Sequence, residues 1–405
     1  MASWFNHKAR LWVKGRKNIW QKIAEFSNES TSPVVWFHVS SLGEFEQGRP
    51  VIELLKQQHP EWKMVLTFFS PSGYEIRKNY SMADAVFYLP LDSRRHAQRF
   101  YKLIKPQLVV FVKYDLWYHF IHEASIQHIP IILISAVFKP TQIFFKRYGR
   151  LFRKMLSFFS QIFVQDNESA TLLQSIHIPA MVAGDTRCDR VLQIAQQPMQ
   201  LRIVKQFVQN SFTVVVGSAW MQDMNIIANV VLQTADKIKW IIVPHKIENE
   251  NIRTIQQSIE VPSVLYSSLS HSETTISASV LIIDNIGMLS SLYQYAQLAY
   301  IGGGFGKGIH NILEPAVYGI PVIFGPHHYQ FNEAIEMKEA GAVFAVANKM
   351  EFESIFYSLF TNEHLLKEAG SKAIQYIKEK SGATVEISSY IEKTLCRPYT
   401  DLLTR

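Results

Sequence analysis

The residues best equipped for chemistry lie in one run, Gly302-Gly303-Gly304-Phe305-Gly306-Lys307-Gly308-Ile309-His310-Asn311-Ile312-Leu313-Glu314-Pro315. The apolar run before it, Leu298 to Ile301, reads as a buried strand, and a short apolar segment, Ala316 to Tyr318, follows. A glycine-rich turn between strand and helix lets backbone N–H groups approach a phosphate, with the positive end of the helix behind them. Glu314 stands four residues after His310 and three after Asn311, which predicts a shared helical face. There a cation-capable ring, an amide and a carboxylate would hold a phosphate, a base or sugar, and a pair of ribose hydroxyls. Pro315 fits the first helical turn, where its missing N–H costs nothing. The alternative is a tight structural turn with a polar cap.

Further polar residues stand directly after strand-like runs. Ser40-Ser41-Leu42-Gly43-Glu44 ends one strand and opens a helix. Glu44 would accept a proton from an attacking alcohol, and the helix dipole should keep its carboxylate ionised. The same spacing also spells a capping box, a purely structural role. Lys113-Tyr114-Asp115 follows another strand, and Asp115 either positions an acceptor or is an ordinary loop acid. Ser218 after Gly217 offers a hydroxyl to a phosphate or caps a helix; His245 after Pro244 donates to an anion or is a satisfied polar residue. No metal site is expected: the acids after strands form no Asp-x-Asp pair, and no His-Glu-x-x-His occurs. There is no Walker loop and no cofactor is expected.

These positions need sheets to present them. Strand-like runs at Val34–Val39, Met64–Phe69, Ala85–Leu89, Leu108–Val112, Ile131–Val137, Gln161–Val164 and Met181–Ala183 alternate with helical patterns. A second series follows at Thr213–Gly217, Trp240–Val243, Val264–Tyr266, Val280–Ile283, Leu298–Ile301, Val322–Phe324 and Val343–Val346. Two such series predict two α/β domains with parallel sheets, 1–198 and 199–405, joined by a polar stretch near Gln196 to Arg202. The tail from His364 to Leu395 reads helical. The ligands of open α/β sheets bind at the carboxyl ends of strands, where these polar residues fall.

The chain has 405 residues, 48% hydrophobic and 19% charged, enough to bury two cores. Cys188 and Cys396 make no disulfide framework, which suits a reducing compartment. No secretory signal is evident, and the longest mainly apolar run, Ile129 to Phe138, is too short to cross a bilayer. Part of the net charge of +7 is concentrated at the start: Lys8, Arg10, Lys14, Arg16, Lys17 and Lys22 with Trp4, Phe5, Trp12 and Trp20 interleaved. Such a segment suits an anionic membrane surface, or else a solvated basic helix. No zinc-finger or RNA-binding signature accompanies it, so no nucleic-acid partner is expected. Ile143 to Phe159 mixes phenylalanines with arginines and lysines and reads either as an acceptor contact or as a core helix with a basic face.

Taken in order, these motifs resemble the 3-deoxy-D-manno-octulosonic acid (Kdo) transferases of lipopolysaccharide synthesis over nearly the whole chain. The resemblance rests on His38 to Glu44, Leu66 to Gly73, Asp115-Leu116-Trp117 and Gly184-Asp185-Thr186-Arg187-Cys188-Asp189 in the first half. In the second half it rests on Val216-Gly217-Ser218, Val243-Pro244-His245, Asp284 to Leu289, Gly302-Gly303-Gly304, His310 to Pro315 and Gly325-Pro326 to Phe331. It implies a GT-B glycosyltransferase: two Rossmann-like domains with a cleft between them, an acceptor-binding first domain and a CMP-Kdo-binding second one. The implied reaction transfers Kdo with inversion from CMP-Kdo to a lipid A precursor, without a metal, at the cytoplasmic face of the bacterial inner membrane.

By the same resemblance Glu44 is the base and Asp115 stands in place of a family glutamate, one methylene shorter. Ser218, His245, His310 and Asn311, with Ile286 and the amides near Gly287 and Gly303, would hold the nucleotide; Glu314 would bridge the ribose hydroxyls. Thr186 and Arg187 would face the cleft, and Arg187 would pair with the Kdo carboxylate. The chain departs from the family at Lys113, often acidic, at His245-Lys246, where an arginine often follows the proline, and at Gln330, often asparagine. It also lacks the longer apolar start of many members, which leaves a peripheral membrane contact as the expectation. Competing readings are a UDP-sugar transferase of the same fold, a sugar-nucleotide epimerase, and a non-enzymatic basic binder.

Overall fold

The computed structural model describes residues 7–26, 32–113, 115–269 and 277–396. Trp4, Phe5 and Tyr114 lie outside the described residues. The strands of the first sheet are β1 (Val34–Val39), β2 (Lys63–Phe68), β3 (Ala85–Tyr88), β4 (Leu108–Val112), β5 (Ile131–Ala136), β6 (Gln161–Val164) and β7 (Met181–Val182). They lie in the order β3-β2-β1-β4-β5-β6-β7, and each pairing is parallel. The second sheet holds β8 (Phe212–Ala219), β9 (Ile238–Pro244), β10 (Ser263–Leu265), β11 (Val280–Ile282), β12 (Leu298–Ile301), β13 (Val322–Phe324) and β14 (Val343–Ala345). Its order is β10-β11-β9-β8-β12-β13-β14, again parallel.

The central strands are short, apolar and buried on both faces, as parallel strands covered by helices must be, whereas the edge strands β7 and β10 are more open. β1 and β4 are buried at every residue. The chain runs to one edge of the first sheet through β3 and returns to the other side of β1 as β4. In the second sheet it returns to β12 beside β8. Each return leaves a crevice at the carboxyl ends of the two flanking strands, the usual ligand position in an open α/β sheet. The candidate residues Ser40, Glu44 and Asp115 follow β1 and β4. Ser218 and the glycine run lie at the end of β8 and after β12.

Contacts divide the chain into a unit that runs to Asp189 and takes back the chain from Lys380 onward, and a second unit, Arg190–Glu379. The last helix, Ala383–Cys396, therefore packs with the first unit, whereas the sequence reading assigned it to the domain 199–405. The cause is its apolar stripe: Ala383, Ile387 and Ile391 recur at helical spacing and are buried in the core with Val35, Leu55 and Leu108. Polar ties fix the entry. Asp189 accepts from the N–H groups of Gly382 at 2.6 Å and Thr384 at 2.7 Å.

The basic start also folds back in part. Arg16 lies over the rings of Trp12 at 4.0 Å, Tyr88 at 4.7 Å and Phe69 at 5.1 Å. It donates to the carbonyls of Leu89 and Phe69, each at 3.0 Å, and burial pulls its pKa down to about 10. Arg16, Trp12 and Trp20 are thus building material of the first unit, while Arg10, Lys14, Lys17 and Lys22 are exposed. The phenylalanines of Ile143 to Phe159 pack into or against the first core, with Phe144 buried, so this segment is a core element with a basic face. Among the described residues no helix is long and apolar enough to cross a membrane.

Candidate functional site

The first cluster sits where β1 and β4 end. Ser41 caps the helix Leu42–Gln58: its Oγ accepts from the Glu44 N–H at 3.4 Å, and Glu44 Oε2 accepts from the Ser41 N–H at 3.2 Å and from the Ser40 N–H. This reciprocal cap pins the Glu44 carboxylate at the mouth of the helix. Ser40 donates its hydroxyl to Asp115 Oδ2. One serine therefore links both carboxylates, through its N–H to one and its O–H to the other. Trp117 Nε1 donates to the same Asp115 oxygen at 2.9 Å, and His38 Nε2 lies 3.2 Å from it.

Behind Asp115 the network is buried. His38 Nδ1 lies 2.9 Å from Thr67 Oγ1, which accepts from Trp36 Nε1 at 2.8 Å. The Thr67 hydroxyl also reaches the Phe37 carbonyl at 3.4 Å, and Trp117 Nε1 lies 2.9 Å from His38 Nε2 as well as from Asp115 Oδ2, so Thr67, His38, Trp117 and Asp115 form one connected network. Such a network holds the aspartate in one orientation.

Electrostatics at Glu44 run opposite to the sequence expectation of an ionised carboxylate. Burial, and next the nearby Asp115 charge, push it up to about 7, against the lowering effect of the Ser40 and Ser41 N–H groups and of Lys113. The helix start does favour the anion, but desolvation and a like charge outweigh it. The result is a carboxylate whose proton affinity matches neutral pH, the range in which a general base works best. Glu44 is thus both the cap and a group with a base's proton affinity.

Thr186 and Arg187 open the helix Thr186–Gln196 in the same unit. Thr186 does not face an open site: it is buried, donates to the Gln47 carbonyl at 2.6 Å and lies 3.2 Å from Ser135 Oγ. It fastens two helices and β5. Arg187 pairs with Asp185, with Nη2 at 2.7 Å and Nε at 3.0 Å from Oδ2. The planar guanidinium is oriented by that fork.

The second cluster gathers at the ends of β8, β9 and β12. Gly303 has φ +92°, and a Cβ there would come within 2.5 Å of the Gly308 carbonyl oxygen. Gly304 and Gly325 approach so closely that a Cβ on Gly304 would lie 2.6 Å from the Gly325 backbone. The glycines thus let the loop fold onto itself and onto the loop after β13. Ser218 has φ +54° at an irregularity in the β8–β9 pairing, a strained conformation for a residue with a side chain.

The helix after the glycine loop is shorter than the spacing suggested. It spans Leu313–Ala316 only, so His310 and Asn311 precede it and share no helical face with Glu314. Asn311 and Glu314 meet by another route. Asn311 Oδ1 accepts from the Leu313 N–H at 3.1 Å, and its amide donates to Glu314 Oε1 at 3.2 Å. Pro315 does sit in the first turn.

His310 is not a ready cation. Burial, and next His245, lower its pKa, and burial followed by Lys246 lowers that of His245. The indole of Trp220 stacks on His245 with centroids 4.1 Å apart, and His245 lies 4.7 Å from His310. Trp220 Nε1 donates to His310 Nε2 at 3.1 Å. A cavity of about 390 Å³ opens beside Trp220 and His245. Ile286 is 85% exposed after β11, and Gly287 has φ +94° with open space at its Cβ position. The structure therefore brings Glu44 and Asp115 together, and Ser218, Gly303, His310, Asn311, Glu314 and His245 around the β8–β12 crevice.

Two residues of this second cluster escaped the sequence reading. Trp220 follows the Gly217-Ser218 strand end directly, and an aromatic ring after a strand terminus was the available signal. Asp223 is buried, and its Oδ2 accepts from the N–H groups of Trp220 at 3.0 Å and Gly303 at 2.9 Å; its Oδ1 accepts from Tyr300 at 2.9 Å. It moors the glycine loop to the helix Met221–Thr234, and nothing in its spacing distinguishes it from an ordinary first-turn acid.

Residues 17–190 match the family model described as 3-deoxy-D-manno-octulosonic-acid transferase (kdotransferase). A 3-deoxy-D-manno-octulosonic acid transferase of Aquifex aeolicus (strain VF5) is 29% identical over 324 residues, covering 78% of this chain and 83% of that protein. The enzyme of the same description from Haemophilus influenzae is 24% identical over 401 residues, covering 94% of this chain and 92% of that protein. Among solved structures, the UDP-GlcNAc 2-epimerase of Neisseria meningitidis bound to UDP-GlcNAc has a TM-score of 0.60 at 18% identity, over 89% of this chain and 99% of that one. That likeness is one of fold, and with the two parallel sheets it makes the architecture α/β of GT-B type.

Proposed function

From the chain's membership of the Kdo transferase family, a family of glycosyltransferases, we propose that it transfers Kdo from CMP-Kdo to a phosphorylated lipid A precursor, with inversion. The observation that carries the chemical reading is the Glu44–Asp115 pair, bridged by Ser40 at the ends of β1 and β4, with Glu44 raised to about 7. The first unit is the acceptor half and the second the donor half in this reading.

The sugar hydroxyl of the acceptor attacks the anomeric carbon of Kdo from the face opposite the phosphate. A carbon–oxygen bond forms as the bond from that carbon to the CMP oxygen breaks, and the electron pair leaves with CMP. Glu44, in its ionised form, takes the hydroxyl proton. The Asp115 charge beside it raises its proton affinity and so its strength as a base. Positive charge develops on the Kdo ring in the transition state, and the same pair of carboxylates favours it. Arg187, oriented by Asp185, is the cation for the Kdo carboxylate. In the donor half, Ser218 and His310 take the phosphate beside the loop turned at Gly303, whose own N–H is held by Asp223; Ile286 and Gly287 with His245 take the base, and Glu314, held by Asn311, takes the ribose hydroxyls. The exposed Arg10, Lys14, Lys17 and Lys22 are assigned to an anionic inner-membrane surface on its cytoplasmic side.

The deciding experiment is the product mass after incubation with CMP-Kdo and a lipid A precursor, with UDP-sugars in parallel. One or more added Kdo units, formed only from CMP-Kdo, is the expected result. Transfer from a UDP-sugar instead would overturn the donor assignment and keep the fold.

A further inference from the structure

Trp220, His245 and His310 form a three-ring group at the ends of β8 and β9 and after β12. An indole N–H is a donor only. Its placement 3.1 Å from His310 Nε2 means that this nitrogen accepts and carries no proton. The ring proton then sits on Nδ1, and among the described residues Nδ1 has no hydrogen-bond partner. Protonating Nε2 would set two N–H groups against each other. The groups packed around the ring agree: burial, and after it His245, disfavour a charged His310, while Lys246 adds to the same pressure on His245.

The tryptophan is itself well held. Its backbone N–H is fixed by the buried Asp223, which also holds the Gly303 N–H, and its ring rests on His245 at 4.1 Å with planes 19° apart. The glycine loop and the indole therefore share one anchor. His310 closes the same unit, since its backbone N–H donates to the Gly302 carbonyl at 3.2 Å.

We propose that Trp220 is a positioning residue whose indole N–H locks His310 as the neutral Nδ1–H tautomer, so that His310 meets an anionic ligand oxygen as a fixed hydrogen-bond donor, not as a cation. This rests on the assignment of His310 to the donor phosphate. It deepens that assignment by naming the protonation state and the residue that sets it. A neutral donor in a fixed direction binds without the cost of charging a half-buried imidazole.

The test is a long-range proton–nitrogen spectrum of the full chain labelled with ¹⁵N-histidine, with His310 assigned by its loss in His310→Gln. Wild type should show protonated Nδ1 and bare Nε2. Trp220→Phe keeps the stacking surface but removes the N–H, and should give a mixture with the Nε2–H form. The KM for CMP-Kdo should then rise roughly three- to tenfold, with kcat changed less. In a His310→Gln background Trp220→Phe should add little to that KM. An Nε2–H tautomer in wild type overturns the proposal, and this spectrum decides even if the variant does not fold. An unchanged tautomer in Trp220→Phe overturns it as well. A locked Nδ1–H whose signals ignore added CMP would uphold the lock and refute instead the placement of His310 at the donor phosphate.

Discussion

Asp115→Asn separates the electrostatic role of this residue from its structural one. Asparagine keeps an oxygen for the Ser40 hydroxyl and the Trp117 indole but removes the charge that raises Glu44. Glu44 rises from 4.5 to about 7, with burial as the larger cause and Asp115 as the second. Loss of the second cause should lower the acidic limb of the kcat/KM profile by about one pH unit, a size that fits two charges joined through one residue near the surface. It should stop well short of 4.5, because the burial persists. The sign follows from the base role: the active form is the anion, so the rate falls as pH drops below the Glu44 pKa. At pH 6 the ionised fraction would go from about one in eleven to about one half, a relative gain of roughly fivefold. The assay is a radiolabel or mass readout of Kdo transfer between pH 5 and 9, with each profile normalised to its own plateau, because Asp115 also orients groups and its loss lowers the plateau. A limb that stays in place, or moves to higher pH, refutes the coupling. A limb that survives in Glu44→Gln assigns the titration to another group and refutes the base.

Glu44→Gln should lower kcat by roughly a hundred- to ten-thousandfold with little change in donor KM, as measured by steady-state transfer. The same variant should be the more stable protein at high pH. The folded-state pKa is raised, so the stabilising contribution of protonated Glu44 is complete below 4.5 and is lost as pH rises through about 7. Glutamine escapes that loss, and urea midpoints should diverge with pH toward a difference of up to about 3 kcal/mol above pH 8. Arg16→Met should destabilise the first unit by about 1–3 kcal/mol in a thermal melt, because its N–H groups leave two backbone carbonyls without their donor. Replacement of Arg10, Lys14, Lys17 and Lys22 by glutamine should instead weaken sedimentation with anionic vesicles and leave the melt nearly unchanged, since these cations are exposed.

The strands of both sheets were legible because a parallel strand buried on both faces is a short, nearly unbroken apolar run. Lys63–Phe68 against an expected Met64–Phe69 is off by one residue at each end, and β8 and β9 run up to two residues beyond the expected Thr213–Gly217 and Trp240–Val243. The sequence marks the polar residues that follow strand-like runs, and the strand order of the structure makes neighbours of those after β1 and β4 and of those after β8 and β12. The docking of Ala383–Cys396 on the first unit was not legible, although its stripe was: periodicity tells which face is apolar and not which core it covers.

Charge states were the least legible property, and the reason is physical. A helix start that favours an anion can be read from a few consecutive residues around Glu44, but desolvation and the charge of Asp115 depend on a residue 71 positions away in the chain. The same holds for His310, which looks like a cation in its own motif and becomes a neutral donor only when Trp220, 90 positions earlier, points an N–H at it. Local sequence thus identifies the titratable groups, and the sheet order decides which of them become neighbours. In both units the neighbours lie at the carboxyl ends of strands adjacent in the sheet and far apart in sequence, β1 with β4 and β8 with β12. A parallel sheet that reverses its winding beside a central strand creates that adjacency by construction. The proton affinities of Glu44 and His310 are therefore consequences of topology as much as of residue type, and a substitution at Asp115 or Trp220 should retune either one without touching the residue that titrates.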